Sequence, residues 1–174
     1  MHDAKFESGV RPNASVLVLL WGDPPRVLLV RKSCSRPSYW RCHAAFPGGH
    51  LEPGEDPVDA ALREAWEEAW IYPGSVRVQG FLPLARTRIG GIFVLPVLAE
   101  PRGPLCYRPN SEEVDQVFWL PLSMLDREEV MVRVPGLERR VRGYLLPGGA
   151  VLWGLTLRIM KVLREYWLRE EPRG

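Results

Sequence analysis

Hydrophobic and polar positions change period along the chain, and the changes mark its elements. ASVLVLL (14–20) is a continuous apolar run with β-branched members, the pattern of a buried strand. GDPP follows as a turn, and RVLLVRK (26–32) reads as the returning strand of a hairpin. Residues 33–42 read as a loop. HAAFPGGHLEPGED, from His43 to Asp56, is dense in Gly and Pro and reads as a shaped loop without a regular element. The spacing then turns helical. Asp56 is placed as N-cap and Pro57 at the first helical position, where its missing N–H does no harm. Asp59 adds negative charge where the helix dipole favours it. Val58, Ala61, Leu62, Ala65 and Ala69 form one apolar stripe, and Pro73–Gly74 closes the element.

SVRVQGFLPLARTR and GIFVLPVLAE read as two strands around a turn at Ile89–Gly91, and PRGPLCYRPNSEE as a loop. VDQVFWLPLSML reads as a strand running into a short turn or helix. VMVRVPG and GYLLPGGAVLWG suggest a further strand and turn. The chain closes with an amphipathic helix over 154–169, with Leu155, Ile159, Val162, Leu163 and Tyr166 on one side. Residues 1–12 are polar and irregular, which predicts a flexible N-terminal segment before a single domain over 13–174. Strands and two helices mix without regular alternation, so the expected class is α+β.

Composition narrows the function. At 174 residues, 46% hydrophobic and 25% charged, the chain can bury a core without staples. A net charge of +2 is too mild to imply nucleic-acid binding. No apolar run is long enough to cross a membrane. No signal peptide is visible, and a cytoplasmic setting is the expectation. Cys34, Cys42 and Cys106 are odd in number and lack metal-type spacing, which argues against a disulfide framework; they are read as inert.

The helix carries one unusual feature. Glu64, Glu67 and Glu68 fall within an arc of about 100°, on the side away from the apolar stripe. Glu64 and Glu68 are an i, i+4 like-charge pair, unfavourable in isolation. A hard divalent cation reverses that sign, because Mg²⁺ takes oxygen ligands from a few carboxylates and from substrate phosphates. A bare E-x-x-E-E is more often only a solvated acidic face; its neighbours decide otherwise.

Those neighbours are GHLEPGEDPVDAALREAWEEAWI, residues 49–71. The stretch resembles the box of the Nudix hydrolases, G-x5-E-x7-R-E-U-x-E-E-x-G-U with U a bulky aliphatic residue. Gly49, Glu55, Arg63, Glu64, Glu67 and Glu68 match in register, and Ile71 fits the last aliphatic place. Ala65 stands where a larger aliphatic is usual. Trp70 stands where the box has Gly, so the helix is expected to end differently, extending to Tyr72 before Pro73. The resemblance implies an α/β/α sandwich with a mixed sheet, and hydrolysis of a nucleoside diphosphate linked to another moiety, with Mg²⁺ or Mn²⁺. It implies Glu64, Glu67 and Glu68 as metal ligands and catalytic groups, the Gly48 carbonyl as a further ligand, and Glu55 with Arg63 as a structural ion pair. Glu112 and Glu113 are candidates for a remote catalytic carboxylate, and Glu113, before Val114, is the better one.

LLVRKS and WRCHAAFPGG resemble the coenzyme A pyrophosphatase branch of that family through Leu28, Leu29, Ser33, Arg41, His43, Phe46, Pro47, Gly48 and Gly49. The branch normally has a longer insert between the His and F-P-G-G, where this chain has only Ala44 and Ala45. Coenzyme A is therefore the leading substrate, with ADP-ribose or another nucleoside diphosphate derivative as the alternative, and a non-catalytic nucleotide-binding module beside them. Arg31, Lys32, Arg36 and Arg41 are candidate phosphate contacts. His43 is a candidate substrate contact, against the plainer reading of a satisfied buried residue. The expected partner is a small-molecule nucleotide, with neither nucleic acid nor membrane. A homodimer is common among relatives, and the oligomeric state is left open.

Overall fold

The computed structural model describes residues 9–35, 39–110 and 112–170. Residues 1–8 of the segment expected to be flexible lie outside them. Strands β1 (Ala14–Trp21), β2 (Arg26–Lys32), β3 (Ala44–Ala45) and β4 (Gly48–His50) precede helix α1 (Pro57–Ala69). Then come β5 (Val76–Phe81), β6 (Ala85–Arg86), β7 (Phe93–Pro101) and β8 (Val114–Pro121). Last are β9 (Val130–Arg133), β10 (Arg140–Leu145), β11 (Val151–Trp153) and α2 (Gly154–Glu170).

The main sheet runs β3-β2-β1-β7-β5, with β8 also on β2, β4 on β1 and β6 on β7. β1 and β7 are parallel, while the other pairs of this sheet are antiparallel, so the sheet is mixed. Successive side chains leave a strand on opposite faces. Leu17, Leu19, Leu28 and Val30 thus pack with Ala61, Ala65 and Ala69 of α1. Val18, Val27 and Leu29 pack on the other face with Ile159, Met160 and Leu163 of α2. Coverage of both faces is why β1 and β2 read as unbroken apolar runs rather than alternating ones. The result is the α+β, α/β/α arrangement. A smaller antiparallel sheet, β11-β10-β9, stands beside it.

Several expectations are corrected. The stretch from His43 to Asp56 is not irregular throughout, because it contains β3 and β4. The β1–β2 hairpin pairs only at its closed end, Leu20 with Val27 and Trp21 with Arg26. Beyond that point the strands splay. β4 pairs with the start of β1, β3 with the end of β2, and the Pro47 carbonyl accepts from the Leu17 N–H at 2.8 Å. On α2 the buried residues are Leu157, Ile159, Met160 and Leu163, whereas Val162 and Tyr166 are exposed. Cys34 and Cys42 form a disulfide rather than standing inert, and Cys106 is free and exposed. It closes a loop over residues 34–42 that no metal-type or framework spacing announces.

Helix α1 ends at Ala69 and does not reach Tyr72. Trp70 takes the left-handed conformation at φ 57° and ψ 30°, with its N–H donating to the Trp66 carbonyl at 3.0 Å. The backbone thus keeps the stop that Gly usually provides, at a cost of about 1–2 kcal/mol for a non-Gly residue. Trp70 offsets part of this by stacking: the Arg108 guanidinium carbon lies 3.4 Å from its ring centroid and Trp66 lies 5.4 Å away. Trp70→Gly and Trp70→Ala both lose those contacts, but only Gly relieves the backbone. Urea unfolding should therefore find the Ala variant less stable than the Gly variant by about 1 kcal/mol; equal stabilities would contradict the strain.

Candidate active site

The splay between β1 and β2 admits β3 and β4, and β4 brings Gly48 and Gly49 against Glu68 and Glu64 of the box helix. The Asp56 carboxylate accepts from the Val58 N–H at 2.8 Å and starts α1. Arg63 then ties the preceding loop to the helix. Its Nε and Nη2 donate to the two Glu55 carboxylate oxygens at 2.8 and 3.0 Å, and Nη2 also reaches the His50 carbonyl at 3.2 Å. Its Nη1 donates to Glu64 at 3.0 Å and to Glu67 at 3.3 Å. The bidentate contact holds the Glu55 carboxyl below its ordinary range, and Glu55 with Glu64 raises the Arg63 guanidinium further above its own.

The three glutamates do not share one solvated face. Glu67 is exposed and Glu64 half-buried, but Glu68 is only 2% exposed, at the margin of the apolar stripe. Lys32, at the end of β2, places its ammonium on Glu68 Oε1, and the Gly48 N–H donates to Oε2 at 3.3 Å. Burial is the larger influence on Glu68 and pushes its carboxyl above the usual range; Lys32 and Gly48 pull it back only in part. Gly48 and Gly49 are required by close approach. A Cβ on Gly49 would lie 2.5 Å from Glu64 Oε1, and one on Gly48 would run into the Ser15 carbonyl.

A divalent cation fits this donor set on two observations. The Lys32 ammonium, itself a cation, already sits on the most buried carboxylate. The missing Cβ of Gly49 leaves room directly against the Glu64 carboxylate. Among the described residues no three acidic, His or Cys side chains converge as a ready cage.

The remaining candidates are distributed unevenly. Glu113 is exposed; its carbonyl accepts from the Ser33 N–H at 2.9 Å, and the adjoining Val114 pairs with Lys32, so it stands at the same end of β2. Glu112 is likewise exposed. Arg31 is engaged internally, with Nε on Asp115 Oδ1 at 2.6 Å and Nη1 on the Gly148 carbonyl. Arg41 is exposed, and Arg36 lies outside the described residues. Sequence reading missed Lys32 as the counter-ion of Glu68, and Asp115 as that of Arg31, because neither pair has a helical or hairpin spacing. It also missed Asn110, which clamps the end of the box helix: its N–H donates to the Glu68 carbonyl at 2.9 Å and its Nδ2 to the Glu67 carbonyl at 3.1 Å.

His43 is buried between the edges of Trp40 and Trp153, with ring centroids 5.6 and 5.3 Å away. Trp153 Nε1–H donates to His43 Nδ1 at 3.3 Å, so the neutral ring carries its proton on Nε2, which is buried and unpartnered among the described residues. Burial lowers its pKa from 6.5 to about 4. The folded value lies below the unfolded one, so below pH 6.5 the unfolded chain takes up a proton that the fold refuses. Folding stability should fall by about 3 kcal/mol as pH drops through this window, then level off. Subtracting the urea-unfolding profile of His43→Gln isolates this contribution; parallel profiles would contradict it.

The chain belongs to the Nudix family: the NUDIX domain model matches residues 11–139. It is 36% identical over 162 residues to the human mitochondrial coenzyme A diphosphatase NUDT8, covering 83% of this chain and 64% of that protein. It is 35% identical over 161 residues to the Nudix hydrolase NudL of Pectobacterium atrosepticum, covering 86% and 80%. The chain therefore spans less than two thirds of the human relative's length. Among solved structures, the Nudix hydrolase RenU of M. smegmatis superposes with a TM-score of 0.61 at 24% identity, covering 97% of this chain and 95% of that one, a likeness of fold.

Proposed function

We propose that this chain, acting through one domain over residues 13–174, hydrolyses the diphosphate link of a nucleoside diphosphate joined to another moiety, with coenzyme A as the leading substrate. The observation that carries this reading is the buried Glu68 carboxylate beside the Gly48–Gly49 turn, with Glu64 one helical turn away. Glu64, Glu67 and Glu68, with the Gly48 carbonyl, would hold Mg²⁺ or Mn²⁺. When bound, the ion lowers the pKa of a water and neutralises phosphoryl charge. The chain's own residues do the rest. Arg63 holds Glu64 and Glu67 in register with the Glu55 loop, and Lys32 and Gly48 hold Glu68. Water oxygen bonds to phosphorus, the bridging oxygen leaves with the electron pair of the broken P–O bond, and a carboxylate of the Glu64, Glu67, Glu68 and Glu113 set takes the proton of the water. Arg41 and Arg36 are the phosphate contacts in this reading; His43, only 5% exposed between Trp40 and Trp153, supports its loop rather than touching substrate.

The human relative, named as a coenzyme A diphosphatase, supports the substrate. One observation favours a second reading, ADP-ribose: Arg31 is committed to Asp115 and Gly148, which leaves one arginine fewer for an extra phosphate. Incubation with Mg²⁺ or Mn²⁺ and coenzyme A should release 4′-phosphopantetheine and 3′,5′-ADP, and a parallel arm with ADP-ribose separates the readings. Binding of both without any product would leave a nucleotide-binding module and end the enzymatic proposal.

A further inference from the structure

At the far end of β2 from Lys32, six residues and about 20 Å along the strand, the α1-side face of the sheet continues past the helix. A groove of about 430 Å³ opens there, lined by Trp21, Arg26, Trp119, Leu105 and Tyr107 with the Pro101–Pro104 turn as its rim. The strand register builds it. Trp21 pairs with Arg26, and Leu28 with Trp119, so Trp21, Arg26 and Trp119 all project from the face that buries Leu28 under α1. The helix has already stopped at Trp70, and the 102–107 segment covers the face only in part. Trp21 is 46% exposed and Tyr107 is 39% exposed.

The charge in the groove is unbalanced. The Arg26 guanidinium makes no hydrogen bond or ion pair with any described residue, and the groove wall contains no carboxylate. Its guanidinium lies along the hairpin turn, where a Cβ on Gly22 would come within 3.5 Å of Nη2, so the turn glycine makes room for it. An unpaired guanidinium beside three aromatic rings matches one ligand chemistry: a planar ring to stack on the indoles, carrying an anionic group for the fork. The volume lies in the range of small-molecule sites.

We propose that this groove is a second binding site, separate from the hydrolytic one, for a small molecule with a planar aromatic ring and a single phosphate or carboxylate. It stands independently of the proposed activity. The roof of the groove continues into the segment whose Arg108 and Asn110 N–H groups hold the last carbonyls of α1, but binding itself needs none of the box residues.

Calorimetry in EDTA tests it, with AMP and indole-3-acetate as the two charged probes and adenosine and indole as their uncharged partners. Saturable binding of either charged probe supports the site, and which one binds tells a phosphate source from a carboxylate source. Arg26→Met should weaken that binding at least about tenfold, to the level of the uncharged partner. Glu68→Gln should leave it unchanged. Arg26 is at the surface, so the Met variant retains the fold; Trp21→Ala, checked by circular dichroism, should weaken both members of each pair. The proposal is overturned if neither charged probe binds at millimolar concentration. It is equally overturned if charged and uncharged partners bind alike, or if Arg26→Met changes nothing.

Discussion

Glu68→Gln should lower kcat/KM for diphosphate hydrolysis by about 10³-fold or more, the order expected when one preorganised charged group is removed from a reacting centre. Gln preserves the shape and can still accept from the Gly48 N–H, so the loss measures charge rather than packing. The same change should leave folding stability level or slightly raised. It removes a carboxylate that is only 2% exposed, and the released Lys32 side chain, already 25% exposed, can turn to water. Steady-state kinetics beside urea unfolding would show this opposition of activity and stability. A variant that keeps wild-type turnover would remove Glu68 from the role assigned to it, and one that unfolds would contradict the expected stability.

Lys32→Met should do the reverse to the fold. It leaves the Glu68 carboxylate buried without its counter-ion, and breaking one side of a buried pair costs about 3 kcal/mol. The loss should be largest in EDTA at neutral pH. It should shrink in acid, because a carboxyl whose folded pKa lies above its unfolded one destabilises the fold only while ionised. Millimolar Mn²⁺ should restore much of the stability, since a bound dication replaces the missing ammonium and binding to the folded state alone stabilises it by mass action. Thermal melts with and without metal measure both effects. A variant as stable as wild type in EDTA would mean that Lys32 is no counter-ion; a loss that metal leaves untouched would mean that the cation does not reach Glu68.

Both expectations depend on a contact invisible along the chain. Lys32 and Glu68 are 36 residues apart, and nothing in RVLLVRK distinguishes Lys32 from its neighbour Arg31. The strand alternation decides between them: Arg31 turns toward Asp115 and Gly148, and Lys32 toward the box helix. The short strands β3 and β4 were equally hidden, since two or three residues between glycines and prolines carry no period. They form because β1 and β2 diverge and leave backbone groups that must pair with something. The Cys34–Cys42 disulfide escaped notice for a related reason. Two cysteines eight apart meet only when the loop between them turns back, and loop paths are not written in periodicity.

Other features were legible because they are local. The N-cap at Asp56, the Pro57 start, the apolar stripe of α1 and the spacing of Glu55, Arg63, Glu64, Glu67 and Glu68 all lie within a few turns of chain, where residue type and interval set the geometry directly. The buried strands β1 and β2 were legible for the same reason. By itself, then, the sequence determined helix α1, the long strands β1 and β2, the α+β class and the acidic helix that marks the family. Tertiary structure decided which glutamate is buried, which cation faces it, where the helix stops against Arg108, and that Trp21, Trp119 and Arg26 meet in one groove. Those outcomes depend on strand register and on burial, which arise only when segments distant in the chain compete for the same two faces of a sheet.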